Sequence, residues 1–460
     1  MTRTRRGEKL YIQLNKGVHV ERYTINRFFL CISNTEEKYI INDSSYEIII
    51  RLDGNRTYEE VVQELAELYK DNIDNIKLLV NEFLDELKNN YGLELVCSEK
   101  KSEERIKIVG EVCCYPKAAS LEITECCNLN CLHCYGSFGD KCTNVMSLEN
   151  VKRILGDLDE IGVTNIELTG GDVSTYGKLW EVINYALSLS FGKIYVLTNG
   201  IVLKEDVIDL IVSNRERVEV QIDLHSLDDE YLAWFTGCKD TIEIIKNRIS
   251  YFTEKGVNMR VATIFTSKNI NEFKNIAAWV SSKKVHWGIG LVEKLGRANT
   301  SDETLYLDYN QLIQFQQLVS EAIEMYPGMI SVIDYQPNDC NCGAMTTHVV
   351  IDSYGKIKLC TMDNGLYFDN KMGNCLEKTI KEIFDDNIRF VEKLTKYYLP
   401  DGSCQECSEC QELYACGRCM LRHFINLKER NFECEWYKNN VPEEIKRFFF
   451  EDTVDITRGE

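Results

Sequence analysis

The chain has 460 residues, 53 basic against 73 acidic side chains and a formal charge of −20; that is room for two or three cores and weighs against a nucleic-acid partner. No apolar run reaches the roughly 18–20 residues a bilayer crossing needs, and the basic start Met1 to Arg6 has no apolar signal core behind it, so no membrane association and a cytoplasmic location are expected. Twenty cysteines in such a chain argue for metal ligation over a disulfide framework, the more so because they bunch at 126–134, 340–360 and 404–434.

Residues 1–98 read as strands followed by helices. Leu10 to Leu14 and Val18 to Thr24 suggest a hairpin around Asn15-Lys16-Gly17, with further strands at Arg27 to Ile32 and Lys38 to Ile41. Three helices follow. The first runs from Ser44 to Leu52 and ends at Asp53-Gly54. The second opens on the capping box Thr57-Tyr58-Glu59-Glu60 and reaches Lys70. The third, Ile73 to Asn90, sets Ile76, Leu79, Val80, Phe83, Leu84 and Leu87 on one face. Residues 99–117 are polar and read as a linker. From 118 to 325, strands at Ser120–Thr124, Asn165–Thr169, Lys193–Thr198, Val218–Leu224, Asn258–Phe265 and Val285–Val292 alternate with amphipathic runs, the rhythm of a parallel sheet. Residues 326–460 form a cysteine-rich end.

Directly after the first of those strands stands Cys127-Asn128-Leu129-Asn130-Cys131-Leu132-His133-Cys134. Three thiolates in one loop can hold three irons of a [4Fe–4S] cube and leave the fourth open to a ligand, whereas structural zinc asks for a fourth protein donor. A zinc loop with a remote fourth ligand is the bland alternative. The CxxxCxxC loop at a strand end, followed by six βα units, resembles the radical S-adenosylmethionine (SAM) superfamily, whose partial barrel places its chemistry at the carboxyl ends of the strands. The resemblance implies that Cys127, Cys131 and Cys134 hold the cluster whose open iron chelates SAM. Thr169-Gly170-Gly171-Asp172 stands where the family usually reads Gly-Gly-Glu, so Gly170, Gly171 and Asp172 would meet the methionine amine, mainly through backbone. Thr198-Asn199-Gly200 matches the strand-end motif near the SAM carboxylate and ribose. Gln221-Ile222-Asp223-Leu224-His225 stands where relatives often read Ile-Ser-Leu-Asp, and Asp223, at the serine position, would contact the ribose. His133 and backbone near Val292 would carry the adenine. Phe235-Thr236-Gly237 lacks the arginine many relatives carry, and Arg260 or Gly296-Arg297 would replace it. His225 reads as structural or polar lining before acid or base.

The C-terminal cysteines, Cys342-x12-Gly355-x4-Cys360, then Cys407-x2-Cys410-x5-Cys416-x2-Cys419 and Cys434, resemble the SPASM extension, which binds two auxiliary [4Fe–4S] clusters. By position, Cys407, Cys410, Cys416 and Cys434 would hold the distal one and Cys342, Cys360 and Cys419 the proximal one, with Cys340 as a fourth ligand or the site open to a substrate thiolate. Cys404 is a spare for Cys407. Cys126 is expected to turn away from the loop, and Cys31, Cys97, Cys113, Cys114, Cys142, Cys238 and Cys375 to act as small apolar residues.

Leu52-Asp53-Gly54-Asn55-Arg56-Thr57 with Glu59-Glu60-Val61-Val62 resembles the PqqD-like recognition domain of ribosomal-peptide maturases, which captures a leader peptide as an added strand. The expected fold is therefore α/β: a partial (β/α)6 TIM-like barrel with a winged-helix-like PqqD-type domain before it and a SPASM domain after it. The layout implies a peptide maturase with three [4Fe–4S] clusters and SAM, a leader-bearing precursor peptide and a flavodoxin- or ferredoxin-type reductant. The expected product is a thioether from a cysteine sulfur to carbon, as in sactipeptide and ranthipeptide maturases. The alternatives are another crosslink or oxidation, or a non-catalytic metal-bound peptide scaffold.

Overall fold

The structure, a computed structural model, describes residues 9–22, 27–33, 38–102, 106–109, 115–139, 141–300, 302–330, 341–363, 365, 372–400, 407–408, 410, 413–417, 419–431 and 433–450. The chain divides into two compact units, Met1–Cys114 and Tyr115–Glu460.

The first unit runs β1 (Tyr11–Leu14), β2 (Val18–Arg22), β3 (Arg27–Ile32), β4 (Lys38–Asn42), α1 (Asp43–Ile49), α2 (Tyr58–Tyr69), α3 (Ile73–Tyr91), β5 (Leu95–Ser98) and β6 (Lys107–Val109). The capping box forms in both directions between Thr57 and Glu60 and starts α2. The expected hairpin does not form. β1 pairs antiparallel with β5, while β2 lies between β3 and β6, so the four-stranded sheet reads β4-β3-β2-β6. The turn at 15–17 only redirects the chain; each strand's partner is chosen by the core, in which Ile12, Val20, Leu30, Ile49, Val62 and Leu87 are buried together. Strand β6 falls inside the stretch read as a linker. On α3, Ile76, Val80 and Leu87 are buried as expected, but Leu79 is 55% exposed. A helix's apolar stripe is wider than the face its neighbours cover.

The second unit alternates β7 (Ala118–Thr124), α4 (Leu148–Glu160), β8 (Asn165–Gly170), α5 (Leu179–Ser188), β9 (Lys193–Thr198), α6 (Glu205–Ser213), β10 (Val218–Asp223), α7 (Asp229–Thr236), α8 (Ile242–Glu254), β11 (Met259–Phe265), α9 (Phe273–Lys283), β12 (His286–Leu291) and α10 (Tyr309–Met325). β7 to β12 lie side by side in chain order, all parallel. The six expected strands are these. The sheet does not stop at β7: β13 (His348–Ile351) adds parallel to it and β14 (Ile357–Lys358) antiparallel to β13. The cysteine-rich end thereby shares a sheet with the strand that carries the cysteine loop. It continues as α11 (Ile380–Asp386), α12 (Ile388–Thr395), α13 (Leu413–Cys416), α14 (Met420–Glu429), α15 (Glu435–Asn440) and α16 (Glu443–Phe450). Among the described residues no helix is long and apolar enough to cross a membrane.

Candidate functional site

The loop leaving β7 returns along its own strand end: Glu125 N–H donates to Asn144 O at 2.9 Å and Met146 N–H to Ile123 O at 3.0 Å. Across this neck Cys126 and Cys142 form a disulfide, so Cys142 is not the unpaired small residue expected. Between them lie all three motif cysteines. The loop is held from two sides. Leu132 and Asn130 donate to Phe235 O and Thr236 O at the end of α7, at 2.8 and 2.9 Å. Arg297 donates through Nε to Cys131 O at 2.9 Å, through its backbone to Cys134 O at 3.0 Å, and through Nη2 to Phe138 O. Gly296 sits at φ +51°, where a Cβ would lie 2.2 Å from Tyr135 O. The Gly296-Arg297 pair thus braces the loop backbone, and Arg297 also lines the cavity described next.

Cys127, Cys131 and Cys134 line one cavity of about 470 Å³ with Gly170, Gly171, Asp172, Thr198, Asn199, Asp223, His133 and Arg260, within the range of small-molecule sites. Residues Glu167, Leu197, Gln221 and Arg260, from four successive strands, share its wall; a sheet curled around the space is what brings them together. Burial pushes the Cys127 thiol up to about 11 and Cys131 well above the usual thiol value. Bound metal reverses that, because cationic iron stabilises thiolates. The donor set fits a three-cysteine cluster: three thiols and open space, with a ring nitrogen, His133 Nδ1, buried beside them without a partner among the described residues.

The two glycines serve the loop. Gly170 sits at φ +141°, and a Cβ there would lie 2.2 Å from Thr124 O; one on Gly171 would lie 2.3 Å from Cys126 O. Their neighbourhood is zipped to the loop by Gly171 N–H to Thr124 O (2.7 Å) and Asp172 N–H to Cys126 O (2.8 Å). The Asp172 carboxylate is consumed by the protein. It accepts from Ser174 N–H (2.8 Å), Ser174 Oγ, Thr198 Oγ1 (2.9 and 3.1 Å) and Asn199 N–H (2.6 Å). Those bonds fill a carboxylate's acceptor capacity, and what this corner offers a ligand is backbone. Asn199 in turn donates to Asn128 of the cysteine loop at 2.9 Å.

Asp223 is the contrast. Burial, with the Asp172 charge adding to it, pushes its carboxyl up to about 7 against the opposing hydrogen bond from Gln221. That bond, from Gln221 Nε2 at 3.3 Å, is weak. Arg260 donates to Gln221 Oε1 at 2.7 Å, and its charge, the weakest of the influences on Asp223, opposes the rise. His133 stacks on Phe235 at 4.6 Å and 9°, its protonation suppressed to about 4 by burial and then by Arg297. Val292 is not in the cavity wall; it packs on a cluster of Tyr231, Phe235, Ala298 and Leu305. The sequence did not single out Glu167, Tyr135 or Thr361 of this wall, since single polar residues on strands and loops carry no spacing signal.

The C-terminal cysteines fall into two neighbourhoods. Burial pushes Cys360 up to about 12, with the Cys419 charge next in effect, and Cys419 in turn feels Cys342. Cys419 caps α14, whose first amides, of Leu421 and Arg422, favour its thiolate. On the other side, Tyr397 is raised first by burial and further by Cys416, Cys434 and Cys407; Asn426 Nδ2 meets Cys416 Sγ at 3.2 Å and Arg430 Nη1 meets Cys410 Sγ at 3.5 Å. Cys31 and Cys375 are buried as expected, Cys97 is exposed, and Cys113, Cys114, Cys340 and Cys404 lie outside the described residues.

Residues 121–280 match the family profile of the radical SAM superfamily, 340–411 that of the SPASM iron-sulfur cluster-binding domain, and 32–91 that of coenzyme PQQ synthesis protein D, PqqD. The chain is a radical SAM enzyme of the SPASM type with an N-terminal PqqD recognition domain. It is similar to the antilisterial bacteriocin subtilosin biosynthesis protein AlbA of Bacillus subtilis, at 26% identity over 421 residues, 90% of this chain and 92% of that one. It is also similar to the sporulation killing factor maturation protein SkfB of the same species, at 24% identity over 58% of this chain and 64% of that one. The fold is shared with Streptococcus suis SuiB bound to its precursor peptide SuiA, with a TM-score of 0.59 and 14% identity over 93% of this chain and all of that one.

Proposed function

We propose that the protein is a peptide maturase that holds a precursor by its leader on the first unit and crosslinks a peptide cysteine sulfur to carbon in the cavity of the second. The observation that carries this reading is the cavity itself, where three cysteines, with no fourth among the described residues, share a wall with the residues of three strand-end motifs. Cys127, Cys131 and Cys134 would hold the cluster. When bound, it and SAM supply a 5′-deoxyadenosyl radical that takes a hydrogen atom from the peptide. The chain's own part is to position and to keep water out: the Arg297 clamp fixes the loop, the saturated Asp172 fixes the β8–β9 corner, and Asp223 offers an open carboxyl for ribose hydroxyls. Joining sulfur to carbon removes two hydrogens, so a second electron and a proton must leave. The grouping of Cys342, Cys360 and Cys419, and of Cys407, Cys410, Cys416 and Cys434, supports two auxiliary clusters there as electron acceptors, fed and drained through a flavodoxin- or ferredoxin-type partner.

For the leader, β4 is an edge strand of its sheet among the described residues. Tyr39 on β4 and Tyr91 at the end of α3 bring their rings within 4.1 Å, so the end of the helix packs beside this strand. An unpaired edge beside a helix suits capture of an extended peptide. The resemblance to AlbA and SkfB favours a thioether over other crosslinks.

Anaerobic reconstitution tests the reading. About twelve irons per chain, release of 5′-deoxyadenosine with dithionite, and loss of two hydrogens from a leader-bearing cysteine peptide are expected. Zinc in place of iron, or full iron without cleavage, leaves a peptide-binding scaffold and sinks it.

A further inference from the structure

In the first unit, β2 and β3 pair antiparallel with His19 opposite Cys31. Glu21 stands two residues along β2 and so shares their face of the sheet. Val20, Leu30 and Ile32 point the other way, into the core. On the face away from that core Cys31 is still buried, 3% exposed, while the His19 and Glu21 side chains keep 32% and 31% of their surface exposed. A ring nitrogen of His19, a carboxylate oxygen of Glu21 and Cys31 Sγ lie within 4.8 Å of one another. Among the described residues no other three His, Cys, Asp or Glu side chains come so close.

Donors around one tetrahedral zinc, at bond lengths of about 2.0–2.3 Å, lie about 3.3–3.8 Å apart. His19 Nε2 and Glu21 Oε1 already stand 3.4 Å apart. The third donor is then at most about 1 Å too far. The contacts these groups make to each other and to the strand are easily exchanged: 3.4 Å is long for a hydrogen bond, and the Cys31 thiol meets Phe29 O only at 3.8 Å. The charge also fits, since a thiolate and a carboxylate beside a neutral imidazole balance a divalent ion. A set that mixes sulfur, nitrogen and oxygen suits zinc, whereas magnesium and calcium take oxygen.

We infer that His19, Glu21 and Cys31 form a zinc site on the first unit. The ion pins β2 to β3, and its fourth position opens to water on the exposed side formed by His19 and Glu21. Two strands in fixed register deliver all three donors, so little ordering is left for binding to provide. The site shares no residue with the cysteine cavity, and zinc here adds to the iron of the second unit and replaces none of it.

The test uses the iron-loaded full chain, equilibrated with zinc chloride and then dialysed against metal-free buffer, with zinc and iron counted per chain. Wild type should keep about one zinc beside its iron, and zinc K-edge absorption should show one sulfur at about 2.3 Å with nitrogen and oxygen at about 2.0 Å. His19→Asn, Glu21→Gln and Cys31→Ser should each bind zinc at least about a hundredfold more weakly, a larger loss than for a group that merely orients a ligand, with iron unchanged. Should Cys31→Ser lose its thermal transition, His19→Asn and Glu21→Gln decide, because both side chains lie outside the core. A wild type that keeps no zinc overturns the inference. So does zinc that survives in the variants, or a spectrum with two or more sulfurs, which puts the metal among the other cysteines.

Discussion

Asp172 and Asp223 stand in one cavity wall and are opposites. The β8–β9 corner surrounds Asp172 with donors from Ser174, Thr198 and Asn199, whereas the β10–β11 side leaves Asp223 one long bond from Gln221. A carboxylate whose acceptor sites are all filled holds the chain in shape; one taken from water without full repayment is held ready for something that is not protein. The difference separates groups that build the site from groups that meet its ligand, although both are acidic residues at a strand end.

The largest effect should come from the loop both aspartates face. Cys131→Ala is expected to abolish SAM cleavage and lower iron by about four per chain; iron assay with product analysis checks it, and retained cleavage would show that the cavity is not the cluster site. The comparison itself breaks at Asp172→Asn. Replacing the carboxylate turns one acceptor edge into a donor against Ser174, Thr198 and Asn199, and should destabilise the second unit by about 3 kcal/mol, measured as a shifted urea midpoint. A variant that unfolds normally and loses only SAM affinity would put Asp172 in the ligand's reach after all.

Asp223→Asn should do the reverse: full iron and, near about pH 5, near-normal stability, with SAM binding weakened about tenfold in dialysis. Its pH signature sharpens the contrast. The folded carboxyl sits at about 7 and the unfolded one at about 4. Between them the unfolded chain gives up its proton while the folded chain keeps it, so stability declines as pH rises through that window and levels off above it. Urea midpoints of cluster-free protein at about pH 5 and about pH 8 should show the decline in wild type and its disappearance in the variant. The smallest effect belongs to Gln221→Leu, which removes the amide bonded to both Asp223 and Arg260. A change in SAM affinity of roughly threefold is expected, because Asp223 loses only one long bond, and a loss as great as that of Asp223→Asn would mean that Arg260 or the amide touches the ligand itself.

Much of the frame was legible in the residues. The βα rhythm from 118 to 325 yielded the six parallel strands in order, and Thr57 with Glu60 marked the start of α2, because both signals are local. The β1–β2 hairpin failed because strand pairing is decided at long range: Tyr11 lies opposite Ser98. Leu79 was placed inside by periodicity and stands outside because only neighbours decide how wide a helix face is covered. Nothing in the spacing of the C-terminal cysteines announced that His348–Ile351 would join the sheet beside β7.

What the sequence by itself determined was the donor chemistry. Three cysteines within eight residues at a strand end specify a three-thiol site whatever packs around them, since their separation is set by one short loop. The tertiary structure alone decided which polar atoms remained available. Asp172 is closed by Thr198 and Asn199 from the next strand, Arg260 is bonded to Gln221 of its neighbour, Arg297 is drawn onto the loop carbonyls, and His225 has its Nδ1 tied by Ile264. Saturation of a hydrogen-bonding group belongs to the partners that folding delivers from distant positions, and no residue carries that information in its own identity.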